Sequence, residues 1–491
     1  MTVLAPPAAP PLEPSVVGAA PAAGFGRPRP SVLLAVAIVA AVVLAPLIVT
    51  APPKLVVGAA VAVLLGTIAF VHPPAAAYLV LGLTPLVAGF ARDAVIPVLR
   101  LHEALGLVLG LGVLLRAAVQ LAARQPIRWR WTRIDTAFLL LAVASSVLPL
   151  LWMVARGQPP SQEDLFYAAT LWKFYGLFLL VRASVRSEKQ VARCLWTCLG
   201  AGAFVAVLAI LQSTLAPVAD ALYSFYPEED NAGPSYGRGS ATLGSSIAVG
   251  DIMAFDLAIC VAWFLTSHRH RRLLGALAVL FAFGAVGSGQ FSGIVALLVA
   301  VATVAVLSGQ TRRLMLALVP TAIVAALVLW PVVQERLTSI DSASGLPQSW
   351  WVREQNLERF VWPQLFSGLD WLFGVRPTAV LDVSAPWGNT IYIESGHTWL
   401  LWTGGVPLFL AYLWFTWVGV RTAKDVVRVS DGAFRVAAAA SVTSLVVCFV
   451  VMTFDPHITM RGTADLLFSL LALTVVAAGA TQGRPSWRTS S

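Results

Sequence analysis

The sequence predicts an all-α fold, a polytopic transmembrane bundle of about twelve to fourteen helices with one long, partly helical loop. Three observations carry this expectation. Hydrophobic residues make up 58% and charged residues 12% of the 491-residue chain, with a mean hydropathy of +0.80, far from the roughly 25% charged residues of a soluble domain. Apolar runs of about 20 residues, enough to cross a bilayer, recur along the chain. Lysine and arginine gather in alternate segments between those runs.

Residues 1–30 are rich in proline and alanine and read as a disordered cytoplasmic tail. The apolar run after them is too long for a cleaved signal peptide. Apolar runs at 31–49, 55–71, 75–90, 104–121, 136–154, 165–181, 191–211, 246–265, 273–286, 291–307, 314–332, 398–418, 436–451 and 464–480 each predict a crossing. Pro46, Pro52, Pro53, Pro73 and Pro74 interrupt the first three. The organisation is therefore a tail at 1–30, transmembrane helices over 31–332, a long loop over 333–397, C-terminal helices over 398–480 and a tail at 481–491.

Most of the 33 lysines and arginines fall in one alternate set of segments, among them Arg124 to Arg133, Arg182 to Arg193 and Arg421 to Arg435. The orientation rule makes that set, with both termini, cytoplasmic. The formal charge of +9 thus encodes topology; no pattern for DNA or RNA binding accompanies it. Cys194, Cys198, Cys260 and Cys448 lie in or beside apolar runs without paired spacing and read as buried thiols.

Two outer segments are long. One, 216–244, holds Glu228, Glu229, Asp230 and Arg238; its acidic turn reads as solvated or as a cation site. The other carries Trp350, Trp351, Phe360, Trp362, Phe366, Trp371 and Phe373, with Leu357, Phe360, Val361, Leu365 and Leu369 at helical spacing. This pattern predicts an amphipathic helix interrupted or restarted at Pro363, lying on the membrane surface or over a cavity.

The loop ends at Glu394 to Gly405, where His397 stands between a polar segment and an apolar run. Such a histidine serves either as a helix cap or as a proton-transfer group near neutral pH. Arg238, Arg336, Arg353, Arg359 and Arg376 share its side of the alternation. Arginine forks match phosphate oxygens, so these suit a phosphorylated lipid headgroup or anchoring to anionic lipid. Lys173, inside an apolar run, requires a partner or a ligand, with Glu163 or Asp164 nearby or the interface within its reach. Rival histidines stand at His102 and His457. No metal-ligand cluster is evident, so arginine neutralisation of a leaving group is the expected chemistry.

The ordered set Gly237-Arg238-Gly239-Ser240-Ala241-Thr242-Leu243-Gly244, Glu358-Arg359-Phe360-Val361-Trp362, Leu372-Phe373-Gly374-Val375 and His397-Thr398-Trp399-Leu400 with Thr403-Gly404-Gly405-Val406 resembles the O-antigen ligase and O-antigen polymerase superfamily. These are bacterial envelope glycosyltransferases, and the likeness covers the C-terminal two-thirds. There are departures: Thr398 stands where the family often has Asn, and Gln290-Phe291-Ser292-Gly293 lacks the family's arginine in that turn. The resemblance implies a GT-C-like bundle in the inner membrane and a periplasmic active site. It also implies transfer of a glycan from an undecaprenyl-diphosphate donor to a glycan or lipid acceptor, with neither cofactor nor metal. His397 would be the base, Arg238, Arg359, Arg336 and Arg353 the diphosphate ligands, and Lys173, Glu394 and His457 supporting groups. A lipid-linked oligosaccharide flippase or another carrier is the competing class, for which internal repeats would be the mark; none is visible.

Overall fold

The computed structural model describes residues 53–92, 99–125, 129–226, 237–338, 340, 348–383 and 390–482. The expected first crossing at 31–49, the N-terminal tail, residues 483–491 of the C-terminal tail and the acidic turn Glu228 to Asp230 lie outside the described residues. In chain order the helices are α1 (Pro53–Val71), α2 (Pro73–Val87), α3 (Leu101–Ala122), α4 (Arg133–Ala155), α5 (Gln162–Ala168), α6 (Thr170–Ser184), α7 (Glu188–Thr214) and α8 (Ala216–Phe225). Next come α9 (Ser246–Thr266), α10 (Arg271–Gly287), α11 (Phe291–Ser308), α12 (Thr311–Val328), α13 (Trp330–Thr338), α14 (Gln348–Asn356), α15 (Trp362–Leu365), α16 (Asp370–Phe373), α17 (Gly396–Val429), α18 (Gly432–Val451) and α19 (Thr463–Gln482). Among the described residues, nine helical stretches are long and apolar enough to cross a membrane, counting α5 and α6 as one. The chain is a multi-pass helical membrane protein.

Five helices, α4, α5, α7, α9 and α17, begin where a short polar side chain satisfies a first free amide. Thr132 and Asp135 form a reciprocal box at the start of α4, and Ser161 with Asp164 forms another at α5. Helix α9 is the hub: most of its residues are buried, and it packs on α10, α11 and α18. A second focus is aromatic. Phe138 of α4 meets Tyr175 and Phe178 of α6, Phe415 of α17 and Phe468 of α19, the last with ring centroids 4.5 Å apart. All four cysteines are buried and unpaired.

The structure departs from the expected runs in four places. The run at 165–181 is broken at Ala169 into α5 and α6. The run at 314–332 ends at Val328 and restarts as α13, where Pro331 can occupy a first turn but not a helix interior. The expected all-α fold gains a short antiparallel pair in the long loop, β1 (Val380–Asp382) with β2 (Thr390–Tyr392), in the register Leu381 opposite Ile391. Finally, α17 is two helices joined at Gly405, whose φ of 64° and ψ of −160° are open to glycine.

That glycine explains the doublet at Gly404 and Gly405. A Cβ on Gly405 would fall 2.2 Å from the Leu372 carbonyl oxygen, and one on Gly374 would fall 2.9 Å from the Gly404 nitrogen. The Val375 amide donates to the Trp402 carbonyl at 2.6 Å. The segment Leu372 to Val375 and the segment Thr403 to Val406, read separately in the sequence, are thus packed backbone to backbone. This contact seats the loop on the bundle.

Candidate functional site

The segments that the charge alternation grouped away from the arginine-rich set come together around a cavity of about 1150 Å³. Its wall is drawn from residues near 92–103, 238–247, 290–292, 349–394 and 454–465, and among the described residues no arginine of the opposite set lines it. The expected amphipathic segment lies over this cavity: Ser349, Trp350 and Arg353 face it, while Val361 and Leu365 are buried against the bundle. The helical spacing does not extend to Leu369, which is 49% exposed.

Cations dominate the polar part of the wall. Arg92, Arg100, Lys173, Arg238, Arg353 and Arg461 line it against Glu103, Glu394 and Asp465. Arg238 is set there by the backbone around it. The Gly239 amide donates to the Gly287 carbonyl, the Ala241 amide to Gln212 Oε1 at 2.7 Å, and Thr242 Oγ1 to the Pro85 carbonyl at 2.7 Å. Arg238 makes no ion pair among the described residues. Arg92 stacks over the Phe166 ring at 4.9 Å, and its Nε is buried without a hydrogen-bond acceptor among the described residues. An orphaned buried donor of this kind is costly, so the wall is prepared for an anionic acceptor.

The other part of the wall is apolar. Gly106, Leu107, Gly110, Leu111 and Leu114 form one stripe of α3, facing Gly176, Leu177 and Leu180 of α6. From Glu103 to Leu114 this lane runs about 16 Å along the helix. Leu107, Leu111 and Leu114 are 61%, 67% and 67% exposed, so the lane opens sideways on the face where lipid would lie. The cavity therefore joins a cationic end to an apolar, laterally open groove.

The predicted site residues divide. Arg238, Arg353, Lys173 and Glu394 all line the cavity. Lys173 pairs with Glu103, in place of the expected Glu163 or Asp164; Asp164 is taken by Arg376 at 2.7 Å, which fixes the loop and holds that guanidinium firmly protonated. Arg359 is exposed and outside the cavity wall. The side chain of Arg336, on α13, lies outside the described residues. His397 is half-buried, its ring 6.3 Å from that of Phe409 and 6.1 Å from that of Phe449, and it is not part of the wall, although Glu394 and Trp399 on either side of it are. Its amide donates to the Met452 carbonyl at 3.3 Å, and the preceding Ser395 hydroxyl caps the helix at Thr398.

His457 is fully buried beneath the wall. Its Nδ1 lies 2.6 Å from Asp251 Oδ2 of α9. Burial opposes a charge on this ring, but Asp251 and then Asp455 outweigh it and raise the pKa above the ordinary 6.5, with Arg353 working the other way. Arg353 lies 3.2 Å from Glu394 Oε2 and 3.3 Å from Asp455 Oδ2.

Sequence reading missed Arg92, Arg461 and Asp465 and treated His102 only as a rival; all four line the cavity. The signal was the one that found Arg238: arginine on the side that the orientation rule disfavours. Gln290, in the turn that lacks the expected arginine, also lines the cavity and donates to Ser246 Oγ at 2.7 Å. The chain matches no protein-family model and none of the curated proteins.

Proposed function

We propose that this protein is an inverting, metal-independent glycosyltransferase of the O-antigen ligase or polysaccharide polymerase type. It would take a glycan from an undecaprenyl-diphosphate carrier to an acceptor hydroxyl at the periplasmic face of the inner membrane. The observation that carries the reading is the joined cavity: a cationic end suited to a diphosphate, continuous with a groove open to lipid and suited to a polyprenyl tail. The acceptor oxygen forms a bond to the anomeric carbon as the bond from that carbon to the diphosphate oxygen breaks. Arg238 and Arg353, with Arg92, neutralise the departing diphosphate. The acceptor proton passes to a base at the loop end; Glu394 is on the wall, and His397 reaches it by turning away from Phe409 and Phe449.

A second reading, a flippase for a lipid-linked oligosaccharide, is favoured by one observation. Helix α9 carries two carboxylates, Asp251 and Asp256, each 1% exposed, and buried charges at membrane depth mark many carriers. One experiment separates the two. Purified protein in proteoliposomes is given undecaprenyl-diphosphate-linked oligosaccharide and a lipid or glycan acceptor, and products are resolved by mass spectrometry. A new glycosidic bond with release of undecaprenyl diphosphate supports the transferase, and Arg238→Gln lowers its rate at least about 100-fold. Movement of the intact donor across the membrane without a new bond sinks it.

A further inference from the structure

The charged groups beneath the cavity form a continuous row. Asp251 on α9 is bonded to His457 at 2.6 Å, the His457 amide donates to the Asp455 carbonyl at 2.8 Å, and the Asp455 carboxylate lies 3.3 Å from Arg353. Arg353 in turn faces Glu394 at 3.2 Å. Only the last two members line the cavity; Asp251, Asp455 and His457 are 1%, 4% and 0% exposed. Four buried atoms in the row have no hydrogen-bond partner among the described residues: His457 Nε2, Asp251 Oδ1, Asp455 Oδ2 and Arg353 Nε, the last two held only by the longer ion-pair contacts. A buried row of this kind holds its charges only while they balance.

We propose that His457 is a positioning residue for Arg353, and that its protonation decides how much of the Arg353 charge is offered to an anion in the cavity. With the imidazolium present, Asp251 and Asp455 share a buried cation, and Arg353 is free to serve the cavity. When the ring loses its proton, Arg353, 3.3 Å from Asp455, is drawn toward it, away from the wall. Anion binding therefore weakens as pH rises. Among the described residues, Cys448 of α18 lies close to Asp251, and Arg461 and Asp465 stand on the neighbouring cavity wall. The inference rests on the reading of the cavity as a site for an anionic amphiphile, not on the transfer reaction.

The direction of the effect comes from linkage. Since the folded state raises the pKa of His457 above 6.5, its stabilising charge is fully present below the unfolded value and is lost as pH rises through the folded one. Two measurements on the full chain in nanodiscs test the proposal. The first is binding of farnesyl diphosphate between pH 5.5 and 9. The wild type is expected to weaken about tenfold more across this range than His457→Gln, from removal of one nearby unit charge. The difference between the two is the readout, because His102 on the cavity wall titrates in the same region.

The second measurement needs no ligand. The melting temperature of the wild type falls through a pH transition, and Arg353→Gln moves its midpoint upward, because a cation opposing the imidazolium has been removed. This midpoint reports only whether the two charges are coupled; the positioning role is read from the difference in binding profiles between wild type and His457→Gln. Equal pH profiles for wild type and His457→Gln, or an unmoved midpoint in Arg353→Gln, overturn the positioning role. Failure of farnesyl diphosphate to bind at any pH, with Arg238→Gln indistinguishable from wild type, overturns the reading of the cavity and this inference with it.

Discussion

The two halves of the long loop are held by different means. From Asp370 onward the chain is tied at several points. Arg156 pairs with Asp370 at 2.8 Å beside the Trp152 indole, Arg376 pairs with Asp164, and the Trp402 indole donates to the Thr378 carbonyl at 2.9 Å. The half before it, from Gln348 to Leu369, buries Val361 and Leu365 but leaves Trp351 and Phe366 53% and 64% exposed. Its Arg353 meets Glu394 and Asp455 at 3.2 and 3.3 Å, longer than the ties of the later half. The later half is a frame and the earlier half is the part able to respond to a ligand entering the cavity.

Substitutions at two glycines put the comparison to its hardest test. Gly405→Ala forces a Cβ to 2.2 Å from the Leu372 carbonyl at a positive φ, where the loop and α17 touch through their backbones. It is expected to cost at least about 3 kcal/mol, read as a large drop in melting temperature in detergent or as failed insertion. Gly368→Ala, in the earlier half, shares the positive φ of 60° but meets nothing within 4 Å. It is expected to cost only about 1–2 kcal/mol. Equal losses would mean that the two halves are seated alike.

The ion pairs give the intermediate case. Arg376→Ala leaves the Asp164 carboxylate buried without its cation; the arginine side chain is itself 38% exposed, so the loss is smaller than for a fully buried pair. About 2 kcal/mol is expected, with the Ser161 capping bonds retained. The double variant Asp164→Asn with Arg376→Ala should recover part of it, and a cycle with no coupling would remove this pair from the frame.

The bundle was legible because apolar length and charge alternation are local properties, and a helix needs no more than those to cross a bilayer. The cavity was legible only in part. Arg238 and Arg353 were found from a charge anomaly, and the same anomaly at Arg92, Arg100 and Arg461 supplies the rest of the wall. His397 shows the limit. Its place at the loop end is a fact of sequence, but the direction of its ring is set by Phe409 and Phe449, one on its own helix beyond the Gly405 kink and one on α18. The partnership of Lys173 with Glu103, 70 residues away, was likewise decided by the packing of α3 on α6.

The smallest expected effect concerns Pro363. Proline lacks the amide that would bond back one turn and crowds the carbonyl there, and the helix is interrupted as expected: a π turn over Leu357–Val361 leads into the restart at α15, with Pro363 in its first turn. One extra residue in a turn rotates the helix before it by roughly 100° relative to the helix after it. That rotation lets Arg353 face the cavity while Val361 and Leu365 remain buried. Pro363→Ala supplies the missing amide and removes the crowding, so stability should change by less than about 1 kcal/mol. Hydrogen exchange at residues 357–363 should slow as the turn tightens, and the affinity for farnesyl diphosphate should fall two- to fivefold as Arg353 swings away from the wall. Slowed exchange with unchanged affinity would show that Arg353 is aimed by its ion pairs alone, and that the earlier half of the loop needs no π turn to present it.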